Sequence, residues 1–482
     1  MFAIGLDRTS DVTLQEQIFL ATRELVQMGR LPKGSRLASS RELAQRLRVS
    51  RNTVILAYER LAEEGYVEMR AGAGVFVADR PAAPPPMGPT PLIDAAPAAT
   101  PQVAEPVAMP PLLTRTDRRP VLDLWYGHGD PRLFPAHVWR SLGNAALDAC
   151  AIGLASYGPV GGEPRLRQAI ATHLATSRGL AVAPEQVIVT SGAQEALNLI
   201  ARLVLRAGDA VVVETPGYAA AGHVFAAEGA RLCPAPVDAE GLVCTAIAAL
   251  CPRLVYVTPA HQFPTGIAMS HARRQALIAA CSAVGAFIVE DDYDGEILFA
   301  PPPAPAITAM DRSTRTLFVG SFSKTIGSGL RLGYMVVPPT LVAAAEAAKS
   351  LMSYGQSWLD QQILAAFLES GRYRRHLNRL RTAYRPRREA ALSGLRTVFG
   401  PRLAVSPNSG GLHLYGTLAP HAPDAATVAA AARCAGVGLY PAAACAVRDT
   451  PERLARALLI GFAPLTVAEL DTAFSRLPRI FD

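Results

Sequence analysis

The chain has 482 residues, half of them hydrophobic, with 47 Lys and Arg against 40 Asp and Glu and a formal net charge of +7. That length can bury more than one core, the apolar content excludes general disorder, and the basic excess suits a nucleic-acid partner without requiring one. Seven cysteines with no CxxC pair read as reduced thiols of a cytoplasmic protein, and with apolar runs broken by charge no membrane span is evident.

Residues 12–79 are compact and charged. Leu14, Ile18, Ala21 and Leu25 recur at helical spacing and predict an amphipathic helix, which Gly29 and Pro32 end. Ser39 followed by Glu42 has the form of a capping box and starts a second helix with Leu43 and Leu47 inward. Ser50 is an N-cap for a third helix that buries Val54, Tyr58 and Leu61. Two short strands, 66–69 and 75–77, turn around Gly72 and Gly74. Three helices and a small hairpin make a winged helix-turn-helix. Between positions 36 and 51, Arg36, Arg41, Arg46, Arg48 and Arg51 stand against one acid, Glu42. A charge run is most often only a solvated face. Its place here, at the start of a recognition helix, suits phosphate and guanine contacts. Arg51, Asn52 and Thr53, preceded by Ser50, then face the major groove. Arg41 opens the preceding helix, and Arg70 and Gly72 lie in the wing.

Residues 80–118 are rich in Pro and Ala. Such a segment builds no core and favours extended chain, so it reads as a linker of roughly 35–40 residues, reaching at most on the order of 100 Å. From 119 onward, apolar strands (187–190, 210–213, 254–257, 287–290 and 317–320) alternate with helical segments. That pattern predicts a mostly parallel α/β sheet covered on both faces, spanning 119–345. An Arg-rich helical stretch, 372–388, and a final α/β piece predict a smaller subdomain over 346–482.

Ligands of such sheets gather at the carboxyl ends of the strands. After 187–190 come Ser191-Gly192-Ala193-Gln194, a turn opening a helix, where the N–H groups of Ala193 and Gln194 suit a phosphate. After 210–214 comes Pro216-Gly217-Tyr218, an aromatic placed to stack on a flat ring. After 287–289 comes Glu290-Asp291-Asp292-Tyr293. A carboxylate there can pair with a pyridinium nitrogen, and a tyrosine can hydrogen-bond a neighbouring ring oxygen. After 316–319 comes Gly320-Ser321-Phe322-Ser323-Lys324, with Arg331 seven residues beyond the lysine. A lysine amine that reaches an aldehyde, hydroxyls and an arginine fork for a phosphate, and a carboxylate for a ring nitrogen are the set that pyridoxal 5'-phosphate (PLP) needs. Each piece alone is ordinary; all four in order at strand ends are not.

On these residues, 120–480 resembles fold-type I, class I aminotransferases. Tyr157, Gly161, Gly162, Leu166 and Arg167 match the family's Y-x-x-x-G-G-x-x-x-L-R stretch. There the tyrosine reaches the phosphate of the neighbouring subunit, which implies a homodimer. The resemblance makes Lys324 the Schiff-base lysine and Arg331 the phosphate arginine, with Ser321 and Ser323 beside it. It makes Asp291 and Tyr293 the partners of the ring nitrogen and 3-oxygen. The chain departs at two places. Phe263, in His261-Gln262-Phe263-Pro264-Thr265-Gly266, stands where the enzymes have an asparagine. Leu459 stands where they clamp a substrate carboxylate with arginine, and Arg456 is three residues away. Ala220 likewise stands where GABA-responsive relatives carry a second carboxylate arginine. These departures put efficient amino-acid transamination in doubt.

Some 65 residues of the head closely resemble the GntR-type winged helix, in Leu37-Ala38-Ser39-Ser40-Arg41-Glu42-Leu43, Val49-Ser50-Arg51-Asn52-Thr53-Val54 and Gly72-Ala73-Gly74-Val75-Phe76-Val77. The resemblance carries over Arg41, Arg51, Asn52, Thr53 and Gly72 as DNA contacts. The whole chain resembles the MocR family: a winged-helix head (1–79), a linker (80–118) and an aminotransferase-like body (119–482). The implied protein is a bacterial, cytoplasmic, PLP-dependent transcriptional regulator. Its partners would be promoter DNA, a second copy of itself, and an effector that is an amine, an amino acid or PLP. The alternative is a working aminotransferase with an accessory DNA-binding head.

Overall fold

The computed structural model describes residues 4–10, 12–79, 120–149, 152–299, 305–407, 410–446 and 452–477, so the expected linker lies outside the described residues. The chain divides into two compact units, Met1–Ala104 and Glu105–Asp482, each described here by itself.

The first unit is built from three helices, α1 (Leu14–Gln27), α2 (Ser40–Leu47) and α3 (Arg51–Glu63), and two strands, β1 (Val67–Arg70) and β2 (Gly74–Val77). The capping box forms as read: Ser39 N–H donates to Glu42 Oε2 at 2.8 Å and Glu42 N–H to Ser39 Oγ at 3.2 Å. Ser50 caps α3 by accepting from Thr53 N–H at 3.1 Å. Caps of this kind contribute about 1 kcal/mol each. Between α2 and α3, Arg48 takes a left-handed conformation with φ 52°. Arg8 donates to the carbonyls of Leu47 and Arg48 at 3.2 and 2.8 Å, so the α2 C-terminus is satisfied. Val54, Ala57, Tyr58 and Leu61 form the α3 side of the core, against Leu43, Ala44, Val67 and Val77. One expectation shifts. The buried face of α1 is Ile18, Phe19 and Thr22, whereas Leu14, Ala21 and Leu25 are only half-buried. Phe19 shares the buried face with Ile18, and the Arg60 guanidinium of α3 sits 4.0 Å over its ring.

The second unit carries strands β3 (Leu122–Asp123), β4 (Val187–Thr190), β5 (Ala210–Thr215), β6 (Arg231–Asp238), β7 (Gly241–Leu242), β8 (Leu254–Val257), β9 (Phe287–Asp292), β10 (Thr316–Ser321) and β11 (Gly333–Val336). It continues with β12 (Leu403–Val405), β13 (His413–Leu418), β14 (Val437–Gly438), β15 (Tyr440–Pro441) and β16 (Ala457–Gly461). The large sheet runs β4-β11-β10-β9-β8-β5-β6-β7. The pairs from β10 to β6 are parallel, and β11 is antiparallel to both neighbours. Unbroken apolar runs are what such strands require, because both faces are covered. Val211, Val213, Leu254, Tyr256 and Val289 enter the core on one face. Their chain neighbours Val212, Val255 and Ile288 enter the core on the other.

The second sheet, β12-β13-β16-β15, is antiparallel. The long helix Arg372–Phe399 joins two cores: Tyr373 and Leu377 pack with Phe318 and Tyr334, while Leu380, Tyr384 and Leu395 pack with Leu414 and Ile460. Its arginines stitch the body together. Arg381 donates to Glu296 O at 2.8 Å, Arg385 to Phe299 O at 3.0 Å, and Arg387 pairs with the buried Asp130 at 2.9 Å. The first residues of the body join the C-terminal sheet: β3 pairs with β14, and Leu122 and Leu124 pack in the same core as Leu414. That return of the chain brings 125–128 to the site described next. No helix among the described residues is long and apolar enough to cross a membrane.

Candidate functional site

The carboxyl ends of β4, β5, β8, β9 and β10 open into a cavity of about 400 Å³. Nine of the ten residues expected to hold a cofactor line it: Ala193, Gln194, Tyr218, Asp291, Tyr293, Ser321, Ser323, Lys324 and Arg331. The tenth, Tyr157, lies elsewhere, 90% exposed and with its ring 5.7 Å from that of Tyr354.

One end of the cavity suits an anion. The helix Ala193–Val204 begins at Gly192 with no side-chain cap, which leaves first-turn N–H groups for a ligand. Gly192 has φ +80°, a conformation a side chain rarely adopts, and a Cβ there would meet the Arg331 guanidinium at 3.5 Å. Arg331 is steadied by donating to Ser191 O at 2.6 Å. Ser321 and Ser323 are joined at 2.9 Å between their hydroxyl oxygens.

A second end suits a cation. The three successive carboxylates at the end of β9 meet different fates. Glu290 accepts from the N–H groups of Ile307 and Thr308, each at 2.9 Å. Asp292 is taken by a two-pronged ion pair with Arg178. Asp291 receives only the Tyr256 hydroxyl, at 2.7 Å on Oδ2. Its Oδ1 is buried with no protein partner. Burial raises its pKa to about 7, with the Tyr256 hydrogen bond acting the other way. A protonated ring nitrogen is the partner such an oxygen lacks. An uncapped helix start at one end and an orphaned carboxylate oxygen at the other match the phosphate and pyridinium of PLP.

Between these ends stands Lys324, half-buried, whose Nζ donates to Gly127 O. Burial lowers its pKa, against the pull of Asp294 and Asp291, and so favours the neutral, nucleophilic amine. Tyr218 lines the cavity with its ring edge-on to Phe263, centroids 5.9 Å apart. Burial raises the pKa of its hydroxyl to about 12. The Tyr293 hydroxyl is engaged by His261 Nδ1 at 2.9 Å, and the same nitrogen lies 2.9 Å from Asp294 Oδ2. Gly411 makes this network possible: at φ +74°, its missing Cβ would lie 2.3 Å from the His261 ring.

Sequence reasoning missed Tyr256, Asp294, Trp125, Tyr126 and His413, all of which line the cavity. Tyr256 carried a signal, a hydroxyl within a fully apolar strand. The two departures are resolved by geometry. Phe263 lines the cavity, whereas Leu459 is wholly buried in a cluster with Tyr415, Tyr440 and Cys445. Arg456 is no substitute, since its guanidinium donates to the carbonyls of Ala419 and Ala422 at 3.0 and 2.7 Å.

In the first unit, Arg41, Ser50, Arg51 and Asn52 are exposed along the start of α2 and α3. Arg51 Nε donates to Ser40 Oγ at 3.2 Å, which braces the guanidinium between the two helices. The hydroxyl of Thr53 lies 2.8 Å from that of Ser50, so these two residues serve the cap of α3 first. In the wing, Arg70 pairs with Glu68 at 3.1 Å and lies 4.6 Å over the Phe76 ring. Gly72 takes φ +72° at an open turn.

The description "Aminotransferase class I and II" matches residues 124–477, and "Bacterial regulatory proteins, gntR family" matches 14–77. The probable rhizopine catabolism regulatory protein MocR of Rhizobium meliloti is 36% identical over 413 residues, 85% of this chain and 82% of its own. The pyridoxine biosynthesis transcriptional regulator PdxR of Corynebacterium glutamicum is 33% identical over 411 residues, 85% of this chain and 84% of its own. Among solved structures, kynurenine aminotransferase from Pyrococcus horikoshii, in complex with PMP, is similar at TM-score 0.69 and 27% identity, covering 74% of this chain and 90% of that one. Relatives that share the whole fused architecture are named as regulators, which favours that reading over a free-standing aminotransferase. With its gntR-family DNA-binding head and its class I and II aminotransferase body for pyridoxal phosphate, the chain belongs to the MocR-type transcriptional regulators.

Proposed function

We propose that this regulator works as a homodimer whose PLP-loaded body senses a small amine, or PLP itself, and passes the change through linker 80–118 to the head. The observation that carries the proposal is the cavity: one lysine stands between an uncapped helix start and a buried aspartate oxygen with no partner. Lys324 is assigned the covalent link. Ala193, Gln194, Ser321, Ser323 and Arg331 hold the phosphate, Asp291 the ring nitrogen, Tyr293 the 3-oxygen, and Tyr218 stacks on the ring. When bound, PLP supplies an aldehyde that captures primary amines and a ring that withdraws electrons. The protein's part is to weaken the hold of Lys324 on its proton by burial, to set Asp291 against a cationic ring nitrogen, and to hold the phosphate still.

Arg41, Arg51, Asn52, Arg70 and Gly72 are assigned to DNA, with Ser50 and Thr53 setting the angle of α3. A dimer is supported by exposed apolar side chains on the body. Leu154 is 60% exposed, Tyr157 90%, Leu351 88% and Tyr354 64%. The Tyr157 and Tyr354 rings lie 5.7 Å apart, and exposed apolar side chains in contact suit an interface. Tyr157 would reach the partner's phosphate.

Fluorescence anisotropy with the protein's own upstream DNA tests the proposal. Adding PLP should change the affinity of the wild type by about 5- to 150-fold, the usual range of coupling between sites. Lys324→Ala should bind DNA and show no such response. A wild type indifferent to both PLP and amines would refute it.

A further inference from the structure

On the reading above that the cavity takes the cofactor, its walls divide three ways. The helix start with Arg331 faces the phosphate, Asp291 faces the ring nitrogen, and a third wall remains beside Lys324. That third wall is made of rings. Trp125 and Tyr126 lie with centroids 4.3 Å apart, Tyr126 and Phe263 6.1 Å, and Phe263 and His413 5.6 Å.

No arginine stands on this wall, and no lysine besides Lys324 is among the described lining residues. Among the described lining residues, Arg331 is the one arginine, and it is at the phosphate end. His128 Nδ1 lies 2.9 Å from Gly129 O and donates its proton there. His413 Nε2 is likewise committed to Pro264 O at 3.0 Å, and burial pushes the ring's pKa down to about 4. Two carboxylates, Asp291 and Asp294, line the same cavity, and Asp294 Oδ1 is buried with no partner. An incoming carboxylate would be stripped of water, share the cavity with the Asp294 carboxyl, and find no arginine among the described lining residues away from the phosphate end. A flat apolar group would meet ring edges and faces.

We propose that the ligand of this cavity is a primary amine without a carboxylate, whose aromatic or apolar tail lies against Trp125, Tyr126 and Phe263. The amine end faces Lys324. The aspartates set a negative potential that favours an ammonium on its way in.

The test is calorimetric titration of the full-length, cofactor-loaded protein with three probes: 2-phenylethylamine, phenylalanine and n-propylamine. Phenylalanine differs from the first only by its carboxylate, and propylamine lacks the ring. The aryl amine should bind tighter than either by on the order of tenfold or more, one unpaired charge or one buried ring being worth at least that. Phe263→Ala should weaken the aryl amine by a similar factor. Phe263→Leu, which keeps most of the volume, serves if the alanine variant does not fold, and should weaken the aryl amine more than propylamine. Phenylalanine binding as tightly as the aryl amine, propylamine equalling it, or Phe263 variants leaving it unchanged would each overturn the proposal. The visible absorbance of the cofactor is read in the same sample. Its absence would sink the cofactor reading and this proposal together. Its presence with phenylalanine preferred would sink this proposal alone.

Discussion

Asp291 is the residue whose replacement separates stability from cofactor binding most cleanly. It is 3% exposed, with one hydrogen bond on Oδ2 and none on Oδ1. Burial raises its pKa to about 7, against about 3.9 for a free aspartate. Between those two values the folded protein without cofactor holds a proton that the unfolded chain has lost. Stability therefore falls as pH rises from about 4 to about 7, and the loss is complete above that window. Roughly three pKa units correspond to a ceiling of ~4 kcal/mol, and relaxation around a buried charge leaves roughly 2 kcal/mol. Asp291→Asn keeps the acceptor for Tyr256 and removes the charge. Urea denaturation of the body in the cofactor-free protein at pH 5 and pH 8 measures the effect. The variant should exceed the wild type by only about 0.7 kcal/mol at pH 5, a third of the way through the window, and by about 2 kcal/mol at pH 8. With PLP added the order should reverse, because the wild type alone offers a negative oxygen to the ring nitrogen. A cofactor-free variant less stable than the wild type at pH 8 would refute the reasoning, since Asp291 would then have partners enough to offset its burial.

Arg51→Ala should weaken binding to upstream DNA by about 1–3 kcal/mol, the worth of one guanidinium at a base edge, while the cofactor absorbance stays intact; normal DNA binding would show that α3 does not read the groove. Leu351→Asp, at an exposed apolar side chain three residues before Tyr354, should shift the protein towards monomer in sedimentation velocity. An unchanged sedimentation coefficient would remove that face from the dimer. Ser50→Ala should lower the stability of the head by about 1 kcal/mol, because Thr53 N–H loses its partner. A denaturation midpoint of the head unmoved by the change would show that water replaces the cap.

Local rules carried most of the fold that could be read from the sequence. The capping box at Ser39, the cap at Ser50, and the apolar strands of the large sheet depend on neighbours in the chain, and they form where those neighbours require. Site elements at strand ends were legible for the same reason, because Lys324, Asp291, Tyr218 and Ala193 follow strands that announce themselves. What escaped depends on distant partners. Asp291, rather than Glu290 or Asp292, keeps an open oxygen because Arg178 and the 307–308 amides take its neighbours. Trp125 and Tyr126 reach the cavity because β3 pairs with β14, more than three hundred residues away in the chain. The buried face of α1 escaped because Phe19 and Ile18 are adjacent, and spacing alone does not say which centres the stripe.

Reduction of the PLP-loaded protein with borohydride, followed by peptide mapping, tests the central claim most directly. The account predicts a phosphopyridoxyl group on the amine of Lys324, with no label in Lys324→Ala. Label on another lysine, or a peptide containing unmodified Lys324 at full yield, would contradict it.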